Sequence, residues 1–431
     1  QNYLRKIRIR GADGELTLDH PEPGEKAPWR ITKPLDLATD RTAMLALLKG
    51  LVELSSETTA GKISDRSAVT LPGAEASARS LQIGITTFGR DAETVLEIYP
   101  PQTPDATELL ATVSDRPDTV FHLPRPSNPT ALINLPVTVN ELRNRSLLNL
   151  ALPSLRSVTL IPITGSKIVI SGEPKRSWMV EINGKTEEAN QIRLLTLLET
   201  LTTAKAIDFQ GDAVTDFTPW GLDKPFLIIE VGGENGEPIR INFGMNKSGM
   251  LFANRQGTTT VMLMDEKMLS SISIQPYEWR HERLWSISTS DLKSIERTVR
   301  GTPSQILQYD DFNERWTGRV NDADVTDRID VRKAKYMLDS IIGLKVTRWL
   351  ALGNPEAAAA LANPVFTLKV TESIVDEFGD KTGGDKIRTL TLAPIPNDSS
   401  YYGKMSDEAH PFVIDRETAL KIGTDPLERN P

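Results

Sequence analysis

The stretch APWRITKPLDLATDRTAMLALLKGLVELSS, Ala27 to Ser56, decides how the chain folds. A lone Trp29 opens the strand-like WRIT, and the turn and cap formers Asp36, Thr39 and Asp40 follow. Met44, Leu47, Leu48 and Leu51 then fall at i, i+3, i+4 and i+7. That spacing puts four apolar side chains on one face of an α-helix. The order returns twice. Trp178 precedes Asn183, Gly184 and Thr186, then Leu194, Leu197, Leu198 and Leu201; Trp316 precedes Asn321, Asp322, Thr326 and Asp327, then Ala334, Met337, Leu338 and Ile341. The apolar face begins 15, 16 and 18 residues after its Trp, and the second and third helices are expected over 188–204 and 332–344.

Upstream of each Trp lie two β-type segments around a turn: LRKIRIRGADGELTLDH, LRSVTLIPITGSKIVISG and LKSIERTVRGTPSQILQYD. Their alternation of branched and polar residues is that of half-buried hairpins. Downstream, each helix feeds further strands, of which FLIIEV, PIRINFG and LFANRQGTTTVMLMD in the second unit are the plainest. The last hairpin leads to a capped short helix, as in DEKMLSSI and DRETALKI. Unit one closes with ELRNRSLLNL and unit two with EWRHERLWSI, which align Arg143 with Arg280 and Leu147 with Leu284; unit three is expected to lack this segment. A period near 140 residues is the size of a domain, well beyond a solenoid repeat. The expected fold class is α+β, with three tandem repeats at 1–150, 151–287 and 288–431. In each, a short antiparallel sheet has one face covered by the amphipathic helix, and the Trp fills the corner between them.

Composition fits a folded globular chain. Its 431 residues are 39% hydrophobic and 25% charged, with 50 basic against 58 acidic side chains and a net charge of −8. The acidic balance, without a concentrated Lys/Arg face, argues against nucleic acid as a partner. The absence of cysteine removes disulfides, thiolate nucleophiles and cysteine-based metal sites. No apolar run is long enough to span a bilayer. The first residue is Gln1, without a Met or a signal peptide, so the chain is expected to be a segment cut from a longer, anchored protein.

No constellation for catalysis, cofactor or metal stands out, and none is expected. His20, His122, His281 and His410 share no spacing. GGENGEP and KTGGDK read as glycine-bearing hairpin turns, since neither opens a helix. NDADVTDRID, Asn321 to Asp330, fails as a calcium loop because Asp327 and Lys333 stand where such a loop needs Gly and Glu. Its acids read as helix caps. Asp310/Asp311 and Asp36/Asp40 offer carboxylate pairs, and Tyr401–Tyr402 an aromatic pair that reads as strand packing. Candidate contact loops are Ser55–Ser80, Pro100–Glu108 and Asp376–Asp385.

The order of motifs resembles a bacterial family known as domain of unknown function 4340. It is carried by Trp29-Arg30-Ile31, Trp178-Met179-Val180, Leu197-Leu198-x-x-Leu201, Gly221-Leu222-Asp223-Lys224-Pro225 and Arg143-x-x-x-Leu147. Units one and three lack a clear G-L-x-x-P. The resemblance implies an envelope protein held in the bacterial inner membrane by an N-terminal helix and projecting outward into the periplasm. It also implies partnership with an ABC-2 type permease or its gliding-type auxiliary subunit. It defines no catalytic residue. The expected function is therefore a non-enzymatic extracytoplasmic accessory or scaffold of an ABC-type export system; alternatives are a glycan- or peptidoglycan-binding module and a carboxylate-dependent hydrolase.

Overall fold

The computed structural model describes residues 3–428 apart from 13, 25–26, 61, 74, 76–77, 129, 174–175, 183 and 376–380. It contains three nine-stranded antiparallel sheets. In the first, β1 (Leu4–Gly11), β2 (Gly14–Asp19), β3 (Arg30–Lys33), β4 (Leu37–Ala38), β5 (Ile63–Asp65), β6 (Leu81–Thr87), β7 (Arg90–Ile98), β8 (Glu108–Val113) and β9 (Arg116–Pro124) are ordered β4-β3-β2-β1-β6-β7-β8-β9-β5. The second sheet, between Leu155 and Met264, and the third, between Leu292 and Ile414, repeat this order strand for strand. Tandem α+β repeats are thus present, but each sheet is much wider than the short one expected. The short edge strands, β4 and β5 and their counterparts, escape a pattern search because two to four residues carry no periodicity.

The topology explains the helix. From the edge strand β4 the chain enters α1 (Arg41–Ala60), and it rejoins the sheet at the opposite edge as β5. A crossing of that kind must traverse one face, so the helix needs one apolar stripe. In the first sheet β1 to β3 and β6 to β9 carry the buried side chains of the other wall. Ile7 faces Ile85 and Ile9 faces Ile83 across the central pair, and Val158–Val231 and Leu160–Ile229 repeat this in the second sheet. The twelve helix residues picked out by periodicity are all buried, as are Trp29, Trp178 and Trp316. The second and third crossing helices span Gln191–Thr203 and Val331–Ile342, capped by Asn190 and Asp330. In order along the chain the helices are α1, α2 (Val139–Leu142), α3 (Gln191–Thr203), α4 (Val331–Ile342), α5 (Pro355–Leu361) and α6 (Arg416–Ile422).

Strand alternation sends side chains to both faces, and the outer face is partly covered too. In the second sheet Phe252 and Val261 pack on Leu222, within the Gly221–Pro225 motif. Gly221 has φ +66, and a Cβ there would stand 2.5 Å from the Met245 carbonyl oxygen, so only glycine fits. In the third sheet the place is taken by α5, which the sequence reading missed: Ala357 packs with Leu350, Tyr402 and Val413.

Two expected loops are corrected. The Ser55–Ser80 stretch supplies the end of α1, β5 and a 3₁₀ turn at Arg66–Ala68. Lys381–Asp385, with most of KTGGDK, lies in a strand (Lys381–Pro394) and is not a turn; Asp376–Asp380 falls outside the described residues. By compactness the chain forms two units, Gln1–Leu147 with Lys205–Gln210, and Leu148–Ala204 with Gly211–Pro431. Among the described residues no helix is long and apolar enough to cross a membrane.

Candidate functional site

Most of the polar residues singled out from sequence have local duties. Asp330 accepts from the Arg332 and Lys333 amides and Asp324 from the Thr326 amide, so NDADVTDRID is a run of caps and turns. The backbone donor of Lys333 holds Asp330 below the usual carboxylate range. Asp310 closes a hairpin tip by accepting from Phe312, the Asn313 amide and the Asn313 side chain. Asp36 pairs with Arg30 while Asp40 caps α1, so these two carboxylates work apart. Tyr402 is buried and donates to Glu356 at 3.0 Å, and Tyr401 packs against the third core. Among the described residues no three metal-ligating groups gather.

The Arg-bearing closing segments have a larger role. In each repeat the residue capping the crossing helix donates its amide to such a segment: Asp40 to Leu142 O (2.8 Å), Asn190 to Trp279 O (2.7 Å) and Asp330 to Pro426 O (2.8 Å). The segment donates back from Asn144 to Ala38 O, from His281 to Glu188 O and from Glu428 to Arg328 O. Unit three therefore has a closing segment after all, with Leu427 at the bridge position of Arg143 and Arg280. Its sequence hid it because the shared bonds are all backbone.

Two of these segments continue into a second joint. In the first unit Arg145 O accepts from Ala206 N at 2.7 Å, and the Arg143 guanidinium lies 3.6 Å over the Phe209 ring. In the second unit Glu282 O accepts from Val346 N at 2.7 Å, and Arg280 lies 4.2 Å over Trp349. Arg280 also meets Glu187 at 2.8 Å and Glu408 at 2.7 Å. Burial opposes the charge of Arg280, but the two carboxylates outweigh it and raise its pKa; partial burial likewise opposes the charge of Glu408, which Arg280 holds below the usual carboxylate range. Each post-helix segment is thus gripped by backbone bonds, including a second one from Leu284 N to Leu344 O at 3.1 Å in the later joint, and by one cation over a ring.

One histidine differs from the rest. His20 bonds the Ala27 carbonyl and lies on Trp29, His281 accepts from the Arg283 amide, and His410 bonds the Leu350 carbonyl beside Tyr277. His122, on β9, has side chains at both ring nitrogens: Ser64 Oγ stands 3.0 Å from Nε2, and Glu108 Oε2 stands 3.1 Å from Nδ1. Lys62 Nζ meets the same carboxylate oxygen at 3.2 Å. Sheet register makes the cluster. Ser64 pairs with Val120, Glu108 with Pro124 and Leu110 with His122, so strand alternation aims all three side chains to one face. The Lys62 and His122 hydrogen bonds hold Glu108 below the usual carboxylate range. Separations of 58 and 14 residues left no motif to read.

A family profile described as domain of unknown function (DUF4340) matches residues 29–225 and again 183–364. These regions cover most of the sequence, and the chain belongs to this family. Both regions end at equivalent prolines, Pro225 and Pro364, two residues before the strands that begin at Leu227 and Phe366 in sheets two and three. The first match begins at Trp29, so it contains the Arg143 closing segment and the Phe209 strand; the second contains Arg280 and Trp349. No curated protein and no solved structure matches the chain.

Proposed function

We propose that the protein is an extracytoplasmic accessory or scaffold of a bacterial ABC-type export or gliding-type system, working through protein contacts. The observation carrying this reading is the repeated joint. The same closing bonds recur in every repeat, and tandem copies of one fold are a common way for a chain to present surfaces to protein partners. The polar residues that hinted at carboxylate hydrolysis are caps and ion pairs, and the tyrosines that hinted at glycan stacking are engaged in packing. The acidic balance suits a protein partner better than nucleic acid. Membership of the family supports placement at the outer face of the inner membrane, through an anchor preceding this sequence, next to an ABC-2 type permease or its auxiliary subunit.

The test is affinity purification of the full-length, membrane-anchored protein from detergent-solubilised membranes, followed by identification of what accompanies it. The reading predicts a permease or auxiliary subunit in stoichiometric amount. Recovery of the protein alone, with export unaffected by deleting its gene, would contradict it.

A further inference from the structure

We propose that Ser64 is an acyl-accepting nucleophile, with His122 as its general base and Glu108 as the positioning residue, toward carboxylic esters. The arrangement has the two links such chemistry needs, a hydroxyl on one imidazole nitrogen and a carboxylate on the other. Ionised Glu108 is an acceptor only, so Nδ1 carries the imidazole proton and Nε2 is left to accept from the Ser64 hydroxyl. The His122 side chain is only 13% exposed, which fixes the ring, whereas Ser64 is half-buried on the edge strand and keeps part of its surface in solvent. None of the other three histidines is placed between a hydroxyl and a carboxylate.

In the step itself, the Ser64 Oγ–carbonyl bond forms as the hydroxyl proton passes to His122 Nε2. The ester C–O bond then breaks, and the departing alkoxide takes that proton. The products are an acyl-Ser64 ester and an alcohol. A water molecule, giving its proton to His122 in turn, releases the acid and restores the hydroxyl. No oxidant or cofactor enters. Glu108 and Lys62 are the charged groups facing the ring, and Asp65 is turned to the Ser67 amide. This activity is separate from the scaffold reading, and either can fail without the other.

The experiment treats the full chain with 4-nitrophenyl acetate and, separately, a fluorophosphonate, and follows adducts by intact mass and peptide mapping. The expected result is one adduct per chain, on Ser64, with a rate that rises with pH and then levels. Ser64→Ala should remove the adduct, and His122→Gln should slow it about a hundredfold. Glu108→Gln should slow it and displace the pH midpoint, a change that a merely structural carboxylate would not produce. Thermal denaturation of each variant shows that it is folded. Labelling spread over lysines, no labelling, or a rate indifferent to His122→Gln in a folded variant would overturn the proposal.

Discussion

Arg280 combines a ring contact with two ion pairs at its joint. It stacks on Trp349 and meets two carboxylates, so truncation removes a cation–ring contact and leaves Glu187 and Glu408 facing each other unneutralised. Arg280→Ala is expected to cost about 2 kcal/mol, read as a lowered denaturant midpoint, and Arg280→Lys should recover only part of it because an ammonium cannot serve both carboxylates from one plane. Arg143 stacks on Phe209 with shorter reach, and the same substitution there should cost about 1 kcal/mol. The arginines themselves were legible from sequence, as a repeated R-x-x-x-L. Their aromatic partners were not, because Phe209 and Trp349 lie on two-to-four-residue strands that no periodicity announces. The surroundings of His122 were invisible for a related reason: register across β8, β9 and β5, and no spacing along the chain, brings Glu108 and Ser64 to it.

The crossing helices were the most readable elements, since a stripe that must face a sheet leaves its mark every three or four residues. In α3 the buried positions are the four leucines that periodicity selects. Leu198→Ala should therefore destabilise by about 2–5 kcal/mol, and a urea titration monitored by Trp fluorescence reads it. Asn190 both accepts from the Arg193 amide and donates its own amide to Trp279 O. Asn190→Ala keeps the backbone bond but removes the side-chain cap and the 3.5 Å donation from Nδ2 to Glu282, and is expected to cost about 1 kcal/mol. Helix α5 illustrates the opposite case. Its alanines carry no apolar stripe, and only Asn354 capping before Pro355 marks its start, so it was missed although it covers part of a sheet face. The third closing segment was missed because Leu427 replaces arginine while the backbone bonds stay the same.

At the scale of the whole molecule, the charge state of many carboxylates is tied to the fold. Asp40 is penalised by burial, yet the Ala43 amide and Lys205 more than compensate and its pKa is lowered; Asp310, Asp324, Asp330 and Asp415 are lowered by the hydrogen bonds they accept, against burial at Asp415. A depressed folded-state pKa gives stability that is present above the unfolded value, roughly 4 for a carboxylate, and lost as pH falls through the folded value. The melting temperature should therefore be flat from neutrality to about pH 5 and decline steadily below about pH 4. A melting temperature rising toward pH 3 would mean these carboxylates are not bound as described.

Closing segments grip the chain just after the next helices, and amide hydrogen exchange on the intact chain measures that grip at the bonded residues. Ala206 and Val346 each donate one 2.7 Å bond to a closing segment, and each stands two residues before a short strand, outside any helix or strand that would protect its amide. Both amides are expected to be protected in the wild type, with Arg280→Ala accelerating exchange at Val346 while leaving Ala206 unchanged, and Arg143→Ala doing the reverse. Fast exchange at both sites in the wild type, or equal loss of protection at both from either substitution, would contradict it.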